Sequence, residues 1–444
     1  MPNQKAIAAK KDFVYGKYVI GIDPAKAFHQ AALLDPKGIQ IGKSFSFRNS
    51  HTGFANLLKK ARQKIPEFSN ENTIIAIETS CNLWQVPVRF FAALNFKTVL
   101  VSPLSTKHAR PLLAHEFSHT DPKDAYLVAD NTKKGHFDFY QKYDDATEAM
   151  HKLSITYDKL RKNYVQDCNR IHSLIDRVFP EFFKVFDLDS KTALYLLGRY
   201  FLPTDFLNMD IDQESKNIEK ISRNRMNSAI LEQLQALAQN SIGIRMQEHE
   251  ILAERMNLDI WLKRLALDDE QMQIVIEKIL HYARQKPYFE ILISVKGISN
   301  KMAALFIAET RGLERFNHYK QLEKHAGYSL RIFDSGKYSG ARHMNHIGNK
   351  RLAWIVYKMT EETAKYIPEV RVKFLKRQLA KRKYKKTMVA CASNLLRLIF
   401  ALVRDNRPYD ITYDNGCYER MYLLEKKYTK LKELNKTRRA KAVV

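Results

Sequence analysis

The chain has 444 residues, enough for two or three domains with cores of their own, and 45% of them are hydrophobic, which excludes a disordered protein. Lys and Arg outnumber Asp and Glu by 74 to 48, and a formal charge of +26 points to a polyanionic partner. Cys81, Cys168, Cys391 and Cys417 lack CxxC spacing, which argues against a zinc site or a disulfide framework. The N-terminus has no signal-peptide apolar core and no uninterrupted apolar run approaches membrane-spanning length, so a cytoplasmic, reducing location with no membrane partner is expected.

Residues 1–17 read as a basic extension. Strands are expected over 18–26 and 28–35, then a DPKG turn at 35–38, a third strand over 39–48 and a helix over 52–64. Strand 73–79, helix 83–94, strand 98–102 and helical character near 122–133 follow. A meander and then alternating helix and strand predict a mixed sheet with helices on its faces.

Four carboxylates stand out in this block. Asp23 in YVIGIDPAK and Glu78 in NTIIAIETS each end an apolar, β-branched run. Asp121 and Asp124 in TDPKDA are spaced i, i+3 at a helix start, so they share a face. Two strand ends and one helix start can meet at a point, and an all-oxygen acidic cluster suits a hard divalent cation, Mg²⁺ or Mn²⁺, of the kind used in phosphoryl chemistry.

Residues 145–179 carry apolar positions at spacings of three and four, from Met150 through Tyr157 and Ile171 to Val178, which predicts a long amphipathic, coiled-coil-like helix. Its pairing helix is expected between 222 and 285, and the aromatic segment 179–208 is expected at the tip. In ILISVKGISNKMAALFIAE (291–309) two helices flank a turn at Gly297, the form of a helix-hairpin-helix. Lys296, Gly297, Ser299 and Lys301 are its candidate phosphate contacts. Residues 316–352 are rich in Gly, Arg, Lys and His, and they hold Ser335 in DSG and Ser339 in YSG. Arg331, Lys337, Arg342, His343, His346, Asn349, Lys350 and Arg351 are candidates for positioning nucleic acid there. A helix at 350–364, a basic run at 373–386, an apolar helix at 388–404 and a basic tail complete the chain.

The strand order with acids ending the first and fourth strands resembles the ribonuclease H-like fold of RuvC type. The ordered set GIDPAK, IAIETS, TDPKDA, VKGIS, HAGYSLR, DSG and IGNKRL resembles the DEDD transposases of insertion sequences, the RNA-guided bridge recombinases of mobile elements. The resemblance implies an N-terminal RuvC-like domain over 18–140 with Asp23, Glu78, Asp121 and Asp124 as catalytic metal ligands. It further implies a helical coiled-coil spacer over 141–287, a mainly helical C-terminal transposase domain over 288–410 and a basic tail over 411–444. A nucleophilic serine is implied as well and falls on Ser335, with Ser339 as the alternative. The partners so implied are target and donor DNA junctions, a structured noncoding RNA, and further copies of the chain as dimers that assemble into a tetramer. A hydrolytic, junction-resolving nuclease is the alternative chemistry.

Overall fold

A computed structural model describes residues 2–114, 120–331, 334–335, 338–340, 343–345 and 347–441. The chain divides into two compact units, Met1–Lys142 and Tyr143–Val444.

The first unit is built on one mixed sheet. Helix α1 (Pro2–Val14) precedes β1 (Tyr18–Asp23), β2 (Phe28–Leu34) and β3 (Phe45–Arg48). Then come α2 (His51–Lys64), β4 (Thr73–Glu78), α3 (Gln85–Ala93), β5 (Lys97–Val101), α4 (Pro103–Ala114), α5 (Asp121–Lys133) and β6 (Asp138–Phe139). The strand order is β3-β2-β1-β4-β5-β6. β2 runs antiparallel to β1 and β3, whereas β1, β4 and β5 are parallel. This is the mixed, helix-covered sheet expected from the sequence. The third strand is shorter than expected, because residues 39–44 join the sheet only through the Leu34–Gln40 bridge and turn at Gly42, whose φ is +70°. Neither α4 nor the two-residue β6 was anticipated.

Pleat alternation sorts the sheet into two faces. Ile20, Ile22, Leu33, Ile75 and Ile77 pack with Phe54, Leu57 and Phe91 of α2 and α3. Val19, Leu34, Ile74, Ala76 and Val99 pack with Val128 and Ala129 of α5. Gly21 decides how closely α5 lies on β1: a Cβ there would stand 2.4 Å from the Ala125 carbonyl oxygen and 2.6 Å from the Ala129 nitrogen. Both are backbone atoms, so a side chain at 21 has to displace the helix that carries Asp121 and Asp124. Gly21→Ala is expected to destabilise this unit by ~1–3 kcal/mol, the usual cost of overpacking, and to weaken divalent-metal binding. Denaturant midpoints and Mn²⁺ titration measure both, and unchanged values would show that α5 does not need this approach.

The second unit is helical. Its long helices α6 (Asp145–Val178) and α11 (Glu248–Ala283) pack against each other. Between them lie α7 (Lys191–Arg199), α8 (Pro203–Leu207), α9 (Ile211–Ser222) and α10 (Ser228–Gln239). A core of Phe179, Phe182, Phe186 and Phe206 gathers these with one end of the pair, at Ile171, Leu174, Leu258 and Leu265. The aromatic segment thus packs within its own chain. The other end of the pair, at Met150, Tyr157, Ile279 and Ala283, joins a second core. That core is built on α12 (Phe289–Ser294), α13 (Asn300–Thr310) and α14 (Tyr319–His325), with α15 (Lys350–Tyr366), α16 (Pro368–Leu379) and α17 (Tyr384–Arg404). Between α14 and α15 four two-residue strands pair as β7 (Leu330–Arg331) with β10 (His343–Met344) and β8 (Asp334–Ser335) with β9 (Tyr338–Ser339). Helix α18 (Asn415–Lys441) ends the described chain. The 21-residue α17 is long and apolar enough to cross a membrane by composition, but Met388, Cys391, Leu395, Leu396, Ile399 and Leu402 all lie in the core.

Candidate active site

β1 and β4 run side by side and end at Asp23 and Glu78. α5 begins at Asp121, with Pro122 in its first turn, and crosses onto β1 through the Gly21 contact. Glu78 and Asp124 are buried, Asp23 is half-buried and Asp121 is exposed. Burial, the charges of Glu78 and Asp124, a shared hydrogen bond with Glu78 and the charge of Asp121 together push the Asp23 carboxyl up to about 7. The structure therefore brings together all four carboxylates singled out in the sequence, close enough to share one electrostatic field.

Helix α4 supplies what the sequence reading missed. Thr106 Oγ1 donates to Glu78 Oε1, and Arg110 Nε donates to Asp124 Oδ1 over 2.9 Å. The two residues are spaced i, i+4, so one face of α4 meets the acids. Their only sequence signal is the STKHAR run just after a buried strand. Among the described residues no three His, Cys, Asp or Glu side chains stand as a closed metal-ligand set, and Thr106 and Arg110 each hold an oxygen such a set would use. The donor set still fits a divalent cation. It is all oxygen and acidic, and its mutual repulsion, expressed at Asp23, is what a cation would relieve.

That repulsion has a pH signature. A carboxyl whose folded pKa lies above its unfolded value contributes stability in full below the unfolded value, and that contribution disappears as pH rises through the folded one. With Asp23 at about 7 against an ordinary 3.8, metal-free protein should lose stability between about pH 4 and 7, by a few kcal/mol at most after allowance for partial exposure. Asp23→Asn should flatten the profile. Thermal melts in chelator across this range check it, and parallel profiles for the two proteins would contradict it.

In the second unit, α12, the Gly297 turn and α13 form the expected hairpin, with Ser299 capping α13 through Met302 N. Gly297 has φ +103°, and a Cβ on it would stand 2.9 Å from the α15 backbone at Glu362 and Thr363, so the glycine faces α15. Lys296 and Lys301 are exposed, their ammonium groups over the rings of Tyr366 and Tyr157.

The HAGY and IGNK motifs meet each other. Asn349 N donates to His325 O over 2.8 Å, Asn345 N donates to Ser329 O, and the Gly327 backbone lies so close to Gly348 that a Cβ on Gly348 would stand 2.5 Å from Gly327 N. Both motifs close on Glu309, whose side chain is fully buried. It accepts from Ser154 Oγ at 2.6 Å, from Arg351 Nε at 2.7 Å and from Asn349 Nδ2. Burial works against its charge, but the bonds from Arg351, Ser154 and Asn349 prevail and hold its pKa low. Asn349 also caps α15 through Arg351 N and Leu352 N. Two candidate phosphate contacts, Asn349 and Arg351, are thus engaged by a buried carboxylate that sequence reasoning did not single out, while Lys350 and His343 are exposed.

This knot forms the base of the segment that carries the candidate serines. In backbone register Asp334 pairs with Ser339 and Ser335 with Tyr338, and Arg331 pairs with His343. Lys337, Arg342 and His346 lie outside the described residues.

Comparison with known proteins gives a consistent family. The DEDD family model of IS110 type, described as a transposase, matches residues 20–180. The model described as "Transposase IS116/IS110/IS902 family" matches residues 289–373. An uncharacterized 44.8 kDa protein of insertion element IS116 from Streptomyces clavuligerus is 22% identical over 395 residues, covering 88% of this chain and 95% of its own. Among solved structures, T. thermophilus RuvC in complex with a Holliday junction substrate matches at 13% identity with a TM-score of 0.21, over 28% of this chain and 99% of its own.

Proposed function

Because the chain belongs to the IS116/IS110/IS902 family of DNA transposases, we propose that it cuts and rejoins DNA through a covalent 5′-phosphoserine link formed by Ser335, under the guidance of a structured RNA. The observation that supports this most strongly is the gathering of Asp23, Glu78, Asp121 and Asp124 at the C-terminal ends of the central strands β1 and β4, where all three of the others act on Asp23. The order β3-β2-β1-β4-β5, with β2 reversed, supports a ribonuclease H-like assignment for this unit. Asp23, Glu78, Asp121 and Asp124 would hold Mg²⁺ or Mn²⁺. When bound, the ion neutralises charge on the phosphate and on the departing oxygen.

The chain's own residues do the rest. The Ser335 hydroxyl attacks phosphorus in line. The new Oγ–P bond forms as the P–O3′ bond breaks, the serine proton leaves to a base, and the 3′ oxygen departs and takes up a proton. Attack of a 3′ hydroxyl on the phosphoserine reverses these changes and rejoins strands with no external energy source. Lys296, Lys301, Lys350 and the basic residues of the 331–346 segment would position phosphates. Further copies of the chain would complete the assembly on two DNA junctions, as dimers pairing into a tetramer.

With a charge of +26, nucleic-acid binding should be steeply salt-dependent, losing about 10³-fold between low and physiological salt if six or more phosphates are neutralised. A structured RNA should co-purify, and RNase should abolish sequence-specific recombination. Recombination that survives complete RNA removal would overturn the guide assignment.

A further inference from the structure

We propose that the cleft between the start of β2, the end of β3 and α2 holds one unpaired nucleotide of the DNA strand beside the scissile phosphate. This rests on the assignment of the four carboxylates to DNA cleavage. The cleft has a volume of about 530 Å³, within the range of small-molecule sites, and none of its lining residues is acidic. Its floor includes Phe28, an aromatic ring 53% exposed at the head of a strand whose later residues are buried. The Arg48 guanidinium lies 5.6 Å from the centre of that ring. Lys59 and Lys60 of α2 line the same cleft, with Asn56 and Gln63 supplying amides. A flat aromatic face edged by cations and amides is the chemistry that takes a nucleobase by stacking and its phosphate by charge.

The sheet register fixes where this cleft lies. Asp23 pairs with Gln30, and Phe28 pairs with Arg48. β2 is antiparallel to β1, so the start of β2 lies at the carboxylate end of the sheet. Phe28 is two residues from Gln30, so the pleat puts Phe28, Gln30 and Asp23 on the face that α5 covers; α2 covers the opposite face, and the cleft runs from α2 past the end of β3 to Phe28. The backbones at Asp23 and Phe28 are on the order of 8 Å apart from strand spacing and rise. A strand with its reacting phosphate at Asp23 can thus lay a neighbouring base on Phe28. Gly53 shapes the cleft too: a Cβ there would stand 1.9 Å from the Arg48 carbonyl oxygen, so glycine lets α2 close onto the end of β3.

The test needs no cleavage and is run in chelator. The probe is single-stranded oligodeoxythymidylate carrying one 5-iodouracil, with oligouridylate of equal length as the second arm. Photocrosslinking to the full-length protein should place the DNA on the tryptic peptide 27–37, which contains Phe28. Phe28→Ala should lose that crosslink and weaken binding about fivefold or more, and Phe28→Trp should retain both. Lys59→Ala with Lys60→Ala, two exposed positions, should lower the salt slope by about 2. Crosslinks confined to other peptides, or a Phe28→Ala protein of native circular dichroism with unchanged crosslinking, would overturn the proposal. Preferential crosslinking of oligouridylate at this peptide would overturn the assignment to the DNA strand. Crosslinking at Phe28 by a protein that fails to cleave DNA with Mg²⁺ would uphold a nucleotide site while refuting the cleavage assignment.

Discussion

Asp23→Ala should lower metal-dependent DNA strand cleavage by about 10³-fold or more while the protein stays folded and keeps its nucleic-acid affinity. Asp23 stands at the C-terminal end of the central strand β1, and its carboxyl shares its field with Glu78, Asp124 and Asp121. The like charges of these acids repel one another in the metal-free fold, so removing Asp23 relieves strain there. Loss of activity could not then be ascribed to unfolding. The basic residues assigned to phosphates lie elsewhere in the sequence, which is why binding should survive. Asp124→Ala should be as inactive but less stable, since it also strips Arg110 of its 2.9 Å partner. Cleavage rates on a junction substrate with Mg²⁺, set beside melting curves, separate the two effects. Wild-type cleavage by either variant would remove the carboxylates from the mechanism.

The second large effect belongs to Ser335. Ser335→Ala removes only the oxygen proposed to attack, so the β8–β9 pairing, RNA binding and metal binding should persist while strand joining falls to background. Ser339→Ala should be milder, because Ser339 pairs in backbone register with Asp334 and would influence the geometry of the segment rather than the bond formed. Joining assays on pre-nicked and intact junctions measure both. A Ser335→Ala protein that still nicks at the wild-type rate without joining would be a hydrolytic nuclease in which water does the attack.

Much of the first unit was legible in the sequence because burial leaves a simple trace. The β-branched runs of β1 and β4 read as interior strands, and an acid ending such a run stands at the end of a central strand. The i, i+3 pair at the α5 start was legible for the same reason, and so was the long apolar stripe of α6, which does pack on α11. What stayed hidden depends on partners distant in sequence. α4 carries Pro111, and its cations leave only a faint apolar stripe, so the contributions of Thr106 and Arg110 emerge only when the helix meets the acids. Glu309 ends an apolar run much as Glu78 does. Its role comes from Ser154, 155 residues away, and from Asn349 and Arg351 of a motif that in sequence looked wholly phosphate-facing. Glycines were legible as motif letters but not as causes: Gly21 admits α5, and Gly348 admits the backbone of Gly327.

The most direct test of phosphoserine chemistry is to trap and map the covalent intermediate. A junction substrate with a nick beside the cleavage site would let the leaving strand diffuse away and strand the protein on DNA. Protease digestion and mass spectrometry would then locate the modified residue. The expected result is a 5′-phosphate ester on Ser335, formed by wild type with Mg²⁺ and absent from Ser335→Ala and Asp23→Ala. An ester on Ser339 would move the nucleophile within the same pair of strands. Cleavage that proceeds to completion with no protein–DNA adduct at any residue would contradict the recombinase mechanism.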